Sequence, residues 1–301
     1  MQSRVFVIGA GGFLGGEFLS RINGAFEVVA CDSSERLQLN GLNGIEYDFG
    51  NTPPEVLPCK RGDTAVIFSW RGYPATHESD PVGKLSLNLN HTIDLLTWLA
   101  RCGVSKVLYA SSGGAIYGNV DNTPVSESVV PNPIGFYGIG KATAEMYVRK
   151  ICLEHGVRHL IFRIGNAYGP EQLRKNLSVG LLAKAVAAAK TGSQIQIWGA
   201  RDNRRDYIHA EDVARGFLAG LECSLLESGV YNLGSGEALS ISDLIVLVQT
   251  TLGARIDVLN QPGRSFDVGS ICLDCSKFQR ATNWQTTWSL RDGILQLAKL
   301  V

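Results

Sequence analysis

The segment that decides the fold lies near the start of the chain, where residues 4–15 read RVFVIGAGGFLG. Residues 4–8 read as a strand, and residues 5–8 form a short apolar run with the β-branched and aromatic side chains of a buried strand. Glycines at 9, 12 and 15 follow directly, where an apolar helical pattern starts. Glycines so placed permit a tight turn, close approach to a pyrophosphate, and packing of a helix on a strand. The helix N-terminus would direct free N–H groups at the phosphates.

An acidic residue after the second predicted strand distinguishes a dinucleotide site from an ordinary tight turn, which the glycines alone would also fit. Residues 27–30 read as a strand, and Cys31 and Asp32 follow it. A carboxylate at this spacing accepts hydrogen bonds from an adenosine ribose and repels a 2′-phosphate. The pattern therefore predicts NAD, and the nearby Arg36 leaves NADP open as the alternative.

Strands and helices alternate through the first half of the chain. Further predicted strands cover residues 65–68, 106–110 and 159–163, and predicted helices cover residues 85–101 and 142–154. This alternation predicts an α/β fold with a doubly wound parallel sheet, covered by helices on both faces. From residue 166 onward the alternation of strands and helices becomes less regular. We expect residues 1–165 to form a dinucleotide-binding Rossmann domain and residues 166–301 mainly a smaller mixed α/β substrate domain, with an approximate boundary and segments that can interleave.

The composition argues against several classes of protein. The 301 residues contain 28 basic and 28 acidic side chains, and this zero net charge does not favour a nucleic-acid or acidic-membrane partner. The apolar runs are too short for a signal peptide or a membrane span, so we expect a cytoplasmic protein. Seven scattered cysteines do not suggest a disulfide framework, and the C-x-x-C at Cys272 and Cys275 lacks the second pair that a metal site needs. We expect no bound metal.

A tyrosine and a lysine lie four residues apart at the start of the helical pattern near residue 142. This spacing places Tyr137 and Lys141 on one helix face. A phenol has a pKa near 10 and is a poor base, but a neighbouring cation favours its phenolate. The pair also occurs by chance in many helices. Its position after a dinucleotide motif favours acid/base catalysis.

In these segments the sequence resembles the extended short-chain dehydrogenase/reductase family, specifically the nucleotide-sugar epimerase/dehydratase group typified by UDP-glucose 4-epimerase. The resemblance covers essentially the whole chain and includes further motifs in order: Asp48-Phe49, Asn88, SSGGAIYG at 111–118, RIGNAYGP at 163–170, RDYIH at 205–209 and YNLG at 231–234. It implies NAD or NADP in the first domain and a nucleoside-diphosphate sugar in the second. It also implies a homodimer, and a 4-keto sugar formed by hydride transfer.

The family pattern assigns roles by position. Tyr137 would remove the proton of the sugar 4-hydroxyl, and Lys141 would hold the nicotinamide ribose and lower the pKa of the tyrosine. The family usually has a serine or threonine where this chain has Gly113. We expect Ser112 to supply the assisting hydroxyl through a local shift, with Ser111 as the alternative.

The remaining site residues also follow from the resemblance. The expected cofactor-binding residues are Gly9, Gly12, Phe13, Leu14, Gly15, Asp32, Asp48, Phe49, Asn88, Ser111 and Lys141. The expected substrate-binding residues are Asn166, Asn176, Leu177, Arg205, Arg264 and Asp267.

The residues after the serines indicate which reaction to expect. Sugar dehydratases and decarboxylases of the family carry an acidic residue there, whereas this chain has Gly114 and Ala115. This leaves C4 epimerisation or 4-ketoreduction. We favour epimerisation of a UDP-sugar, because Gly113 and Gly114 suggest room for a rotating ring. A non-enzymatic NAD-sensing regulator or scaffold is the alternative from another class.

The chain departs from the family in residues 68–71, which read FSWR where small residues usually cover the cofactor. The side chains of Trp70 and Arg71 must therefore point away from the dinucleotide, or Arg71 could reach its diphosphate.

Overall fold

The computed structural model describes residues 3–22, 24–120, 123–174 and 180–301. The strands are β1 (Ser3–Ile8), β2 (Phe26–Asp32), β3 (Gly44–Glu46), β4 (Thr64–Ile67), β5 (Lys106–Ser112), β6 (Arg158–Ile164), β7 (Asn166–Tyr168), β8 (Gln194–Trp198), β9 (Arg204–His209), β10 (Gly229–Leu233), β11 (Ala238–Ser240) and β12 (Asp257–Gln261). The helices are α1 (Phe13–Leu19), α2 (Ser34–Leu39), α3 (Pro74–Ser79), α4 (Pro81–Cys102), α5 (Gly113–Ile116), α6 (Phe136–Glu154), α7 (Pro170–Arg174), α8 (Leu181–Thr191), α9 (Ala210–Glu222), α10 (Ile241–Leu252), α11 (Ser276–Thr282) and α12 (Leu290–Ala298).

A parallel sheet with the order β10-β6-β5-β4-β1-β2-β3 forms the centre of the protein. Its strands pair in parallel throughout the described residues. The strand order reverses between β1 and β4, and open α/β sheets bind ligands in the crevice at the carboxyl ends of such strands. The predicted doubly wound parallel sheet is confirmed.

Alternating side chains of the strands build a separate core on each face of the sheet. Val5 and Val7 of β1 pack with α1 and α9, while Phe6 and Ile8 pack with α4 and α6. This alternation follows from the two-residue repeat of a strand. Both faces are apolar, as a parallel sheet covered by helices requires.

The chain returns to this sheet after leaving it. Strand β10 pairs with β6, from Gly229 opposite Leu160 to Leu233 opposite Ile164, and so extends the sheet at one edge. The segment after residue 165 therefore contributes a strand to the central sheet and also forms a smaller region. The predicted domain boundary at residue 165 therefore concerns where the dinucleotide and the substrate bind, and it stays a prediction.

The smaller region combines two short sheets with three helices. Strands β11, β9 and β7 form one sheet, and β12 and β8 form the other. Helices α8, α10 and α12 pack together through buried aliphatic side chains such as Leu182, Leu244 and Ile294. None of the helices in the described ranges is long and apolar enough to cross a membrane.

Candidate active site

The glycine turn after β1 lies at the point where the strand order reverses, and Gly9 there has a φ of 87°. Its N–H donates to the carbonyl of Cys31 at 2.9 Å. A Cβ at Gly9 would lie 2.8 Å from the Ser69 nitrogen, one at Gly12 would lie 3.1 Å from the Gly9 carbonyl oxygen, and one at Gly15 would overlap that same oxygen. Only glycines therefore fit this turn, whose surface is backbone.

Two further features of the turn fit the pyrophosphate of a dinucleotide. Phe13 and Leu14 begin α1, so their N–H groups belong to the first turn, which has no intrahelical acceptors. The Ser69 hydroxyl oxygen, beside Gly9, is buried without a hydrogen-bond partner in the described structure. A bound phosphate would provide acceptors for these donors.

The carboxylate of Asp32 lies beside the glycine turn. Its two oxygens accept hydrogen bonds from the N–H groups of Gly11 and Ser33, each at 2.8 Å. Asp32 is only 8% exposed, so the surrounding backbone fixes its orientation. The exposed Arg36 packs on the same turn, since a Cβ at Gly11 would lie 2.9 Å from the Arg36 Cβ. The carboxylate is thus placed where a ribose next to the pyrophosphate would reach it.

Arg71 connects the other predicted cofactor residues. Its guanidinium bonds the Asp48 carboxylate and donates from Nε to the carbonyl of Phe49 at 2.6 Å. Asn88 is fully buried; its Oδ1 accepts from the Arg71 N–H at 2.7 Å, and its Nδ2 donates to the Arg71 carbonyl at 2.9 Å. Arg71 therefore bonds the segment after β3, and Asn88 holds the Arg71 backbone rather than presenting a free amide.

Tyr137 and Lys141 lie on α6 as the spacing predicts, next to the end of β5. Burial raises the pKa of Tyr137 to about 12, and a hydrogen bond with the Ser112 side chain opposes this shift. Burial also lowers the pKa of Lys141 to about 7, while the charge of Glu145 opposes that change. The Lys141 ammonium donates to the Ala110 carbonyl at 2.9 Å. The phenol thus has a neighbouring hydroxyl and a cation one helical turn away, the arrangement that a general acid/base needs.

The two serines at the end of β5 have different partners. Ser111 is buried and donates to Glu145 Oε1 at 2.6 Å, and the same carboxylate binds Arg163 at 2.7 Å. Ser112 is the serine that bonds Tyr137. Gly113 is buried, and a Cβ there would lie 2.6 Å from Leu273 Cδ1. The space that Gly113 leaves is therefore filled by Leu273, and the expectation that it makes room for the sugar is wrong.

A large cavity of about 760 Å³ opens beside Tyr137, between the sheet and the smaller region. The predicted residues that line it are Gly114, Ala115, Tyr137, Asn166, Arg205, Arg264 and Asp267. Asn176 and Leu177 lie outside the described residues. The volume falls in the usual range for pockets that bind small molecules.

The two predicted arginines differ in what they offer to a ligand. Arg205 donates from Nη1 to the Gly269 carbonyl and from Nη2 to the Val268 carbonyl, each at 2.6 Å. Arg264 forms a two-point ion pair with Asp267 at 2.8 and 2.7 Å, and its guanidinium lies 4.7 Å from the centre of the Phe266 ring. Arg205 therefore braces a loop, whereas Arg264 lies on the cavity wall with its guanidinium paired to Asp267.

Glu78 and Trp198 are among the residues of this cavity that sequence reasoning missed. Glu78 lines it near Tyr137, and its Oε1 accepts from the Phe136 N–H at 2.7 Å. Trp198 lines it near Arg264. Glu78 lies after the stretch at residues 68–71 that departs from the family pattern, and no motif marked it. Trp198 ends β8, and position alone did not show that its ring faces the cavity.

The cysteines show no sign of a metal site. Cys272 and Cys275 are buried free thiols, and burial raises the pKa of both. Across residues 3–22, 24–120, 123–174 and 180–301, no group of three His, Cys, Asp or Glu side chains could hold a metal ion.

Comparisons with known proteins identify relatives by sequence and by structure. A putative UDP-glucose 4-epimerase of Methanocaldococcus jannaschii is 26% identical over 296 residues, covering 96% of this chain and 95% of that protein. A dTDP-4-dehydro-6-deoxyglucose reductase of Escherichia coli is 32% identical over 199 residues, covering 66% of this chain and 62% of the relative. The crystal structure of UDP-glucose 4-epimerase from Thermotoga maritima with UDP-glucose has a TM-score of 0.90 at 27% identity, covering 99% of this chain and 98% of that chain.

A model of the NAD dependent epimerase/dehydratase family matches residues 5–234, which contain the glycine turn, Asp32, Tyr137 and Lys141. NAD, the cofactor predicted from Asp32, is the one in the family's description. The chain therefore belongs to the NAD-dependent epimerase/dehydratase family.

Proposed function

We propose that this protein interconverts the C4 epimers of a UDP-sugar through a 4-keto intermediate, with NAD as its cofactor. The observation that carries the proposal is Tyr137, bonded to Ser112 and one helical turn from Lys141, on the wall of a cavity of about 760 Å³. The similarity to UDP-glucose 4-epimerases over almost the whole chain supports it.

Each residue of this group has a role in the proposed reaction. Tyr137 removes the proton of the 4-hydroxyl and later returns it, Ser112 donates to the phenolate oxygen, and Lys141 supplies positive charge. Bound NAD would supply the reversible hydride-transfer chemistry that oxidation and reduction at C4 require. Because burial raises the pKa of Tyr137 to about 12, the reaction needs Lys141 charged to favour the phenolate at neutral pH.

The cavity wall supports redox chemistry at C4 without elimination. Gly114 and Ala115 line the cavity where a dehydratase would need an acid. Gly114 lines the cavity beside the Asn166 amide, and a Cβ there would lie 3.0 Å from Asn166 Oδ1, so a side chain at 114 would crowd this part of the wall. We propose that the 4-keto ring turns over against this surface.

The charges around the cavity indicate where the substrate lies. Arg264 and Arg205 both line the cavity, and they are placed to bind the diphosphate, because a guanidinium pairs well with phosphate oxygens. Glu78 also lines the cavity, where its carboxylate accepts from the Phe136 N–H and lies close to Phe266. A carboxylate there disfavours a uronic acid, since like charges repel. We infer that the sugar carries no carboxyl group.

The nearest rival function is reduction of a nucleotide-linked 4-keto sugar. The 32% identical reductase relative favours it, although that match covers 66% of this chain. A reductase consumes one NADH in each turnover, whereas an epimerase leaves its cofactor unchanged.

A homodimer is part of the proposal. Ile139, Met146 and Leu153 are exposed along α6 and recur every seven residues, so they form one apolar stripe. Self-association through this stripe would remove it from water. A Met146→Glu variant should then run as a monomer in light scattering, where the unmodified protein runs as a dimer; equal masses would contradict the proposal.

A cytoplasmic location without a nucleic-acid partner is also proposed. The seven cysteines are all free, as expected in a reducing compartment, and the net charge is zero. Binding to heparin at physiological salt would count against the second part.

The test is an incubation of purified protein with UDP-, GDP- and dTDP-sugars, followed by proton NMR of the anomeric signals. We expect the 4-epimer of a neutral UDP-sugar to form without added dinucleotide, and no product from Tyr137→Phe. Turnover only of a 4-keto sugar with stoichiometric NADH would support the reductase. No turnover of any compound would support the NAD-sensing regulator.

A further inference from the structure

Trp70, from the segment that departs from the family pattern, lies directly against the catalytic pair. The Lys141 Nζ is 4.3 Å from the centre of a Trp70 ring and 5.2 Å from that of Tyr109. The Trp70 and Tyr137 rings meet edge to face at 6.4 Å. A cation over an indole face is attracted to its π electrons, most strongly where water is excluded.

A buried histidine fixes the orientation of this indole. The Trp70 Nε1 lies 3.2 Å from His77 Nε2, and the planes of the two rings are nearly parallel, with an angle of 9° between them. An indole N–H can only donate, so this bond needs the tautomer of His77 in which Nε2 accepts; the same nitrogen lies 3.2 Å from the Arg71 carbonyl oxygen, to which the other tautomer would donate. His77 is fully buried and meets the Tyr137 ring edge to face at 5.3 Å.

The helix that carries Lys141 is shaped to accept the indole. A Cβ at Gly140 would lie only 3.2 Å from Trp70 Cζ2, so the absence of a side chain lets the ring approach the start of α6. Trp70 therefore fills the space beside Lys141 and contacts Tyr137. Its indole nitrogen contacts His77.

We propose that Trp70, oriented by His77, is a positioning residue that holds the Lys141 ammonium in place and keeps it charged beside Tyr137. The inference rests on the proposed function for its catalytic meaning, but the contact itself is a property of the free protein. Trp70 does not touch the reacting sugar in this account. It acts through Lys141.

Because the pKa of Lys141 lies near neutral pH, the Trp70 ring should have a measurable effect on the charge of this side chain. The ammonium has one carbonyl acceptor, at Ala110, and burial lowers the pKa of Lys141 to about 7. Removing the ring should lower that pKa further, and Lys141 then becomes neutral at a lower pH. The ionisable groups that face the cluster are Tyr109 on β5, Tyr137 and Glu145 on α6, Glu78 and His77 on α3, and Lys84 on α4.

The test is an NMR titration of protein labelled with ¹³C at the lysine ε-carbon, in which the Lys141 resonance is identified by its loss in Lys141→Arg. We expect Trp70→Leu to lower the titration midpoint of Lys141 by about one pH unit, and Trp70→Phe to lower it about half as much. His77→Phe should lower it as well. If Trp70→Leu does not fold, Trp70→Phe and His77→Phe carry the test.

Trp98→Leu is the matched control. Trp98 is half-buried in the same layer, and its indole donates to the Leu57 carbonyl at 3.1 Å, away from Lys141. An unchanged midpoint in Trp70→Leu, or an equal shift in Trp98→Leu, would overturn the proposal. In the active enzyme, the high-pH limb of the kcat profile should move down by about one pH unit in Trp70→Leu. Because the NMR titration needs no turnover, it tests Trp70 even if the proposed activity is wrong.

Discussion

Adding a single methyl group at Gly113 should destabilise the protein through Leu273. Gly113 begins α5, and its φ is not in the left-handed region, so the backbone itself would accept alanine. An added Cβ would lie 2.6 Å from Leu273 Cδ1 and 3.0 Å from the Arg163 carbonyl oxygen. Carbon atoms in contact are normally about 3.5–4.0 Å apart, so the overlap is roughly 1 Å.

The size of the effect follows from this overlap. Overpacking a buried site costs about 1–3 kcal/mol, so Gly113→Ala should lower the free energy of unfolding by that amount. Leu273 is fully buried, and Leu273→Ala should cost about 2–5 kcal/mol. In the double variant the new methyl enters the space that Leu273 left. Gly113→Ala should then cost markedly less, because only the close contact with the Arg163 carbonyl oxygen remains, which gives a coupling of about 1–2 kcal/mol between the two sites.

The assay is urea unfolding of the original protein, both single variants and the double variant. Gly229→Ala is the matched control, because a Cβ there would meet its nearest neighbour, Lys277 Nζ, at 3.8 Å, an ordinary contact. If Gly113→Ala costs the same with leucine or alanine at 273, within about 0.5 kcal/mol, Leu273 is not the reason for the glycine. The outcome bears on catalysis, since a serine or threonine side chain would need the same space.

Three further predictions concern the ligands and the reaction. Tyr137→Phe should lower kcat about 10²–10⁴-fold, and Ser112→Ala should lower it less. Ser111→Ala should mainly lower the urea midpoint, because Ser111 bonds Glu145. A larger loss of kcat in Ser111→Ala than in Ser112→Ala would contradict this assignment. Asp32→Asn should weaken NAD binding in calorimetry by roughly tenfold or more, and tighter binding of NADP than NAD to the unmodified protein would contradict the role of this carboxylate. Arg264→Met should raise KM for the sugar nucleotide by roughly tenfold or more and leave the Kd of NAD unchanged; an equal loss for both ligands would exclude separate diphosphate sites.

The parallel sheet and the helices of the first half of the chain could be predicted well, because the sequence signals for them are local. The glycines at 9, 12 and 15 and the alternating apolar strands each act within a few residues. The return of residues 229–233 to the sheet was not predicted, because a short apolar strand carries no mark of its partner. Helix α4 begins at Pro81, earlier than the apolar pattern indicated, because Asp80 accepts from the Gly83 N–H at 3.0 Å and caps it.

The site was predictable where spacing determines geometry. The four-residue interval places Tyr137 and Lys141 on one helix face. Contacts between distant segments were not predictable, and Leu273 filling the space beside Gly113 is one of them. The part that Trp70 and His77 play beside Lys141 is another, since the two residues form a unit only after α3 packs on α6.

The central claim, hydride removal from C4 and its return to the same carbon, is tested most directly with a UDP-sugar deuterated at C4. Purified protein would be incubated with the labelled compound without added dinucleotide, and both epimers examined by NMR and mass spectrometry. The account predicts that the 4-epimer forms and keeps the deuterium at C4, because the same hydride returns to the other face of the ring. Product that has lost the deuterium, or no epimer from any neutral UDP-sugar, would contradict it.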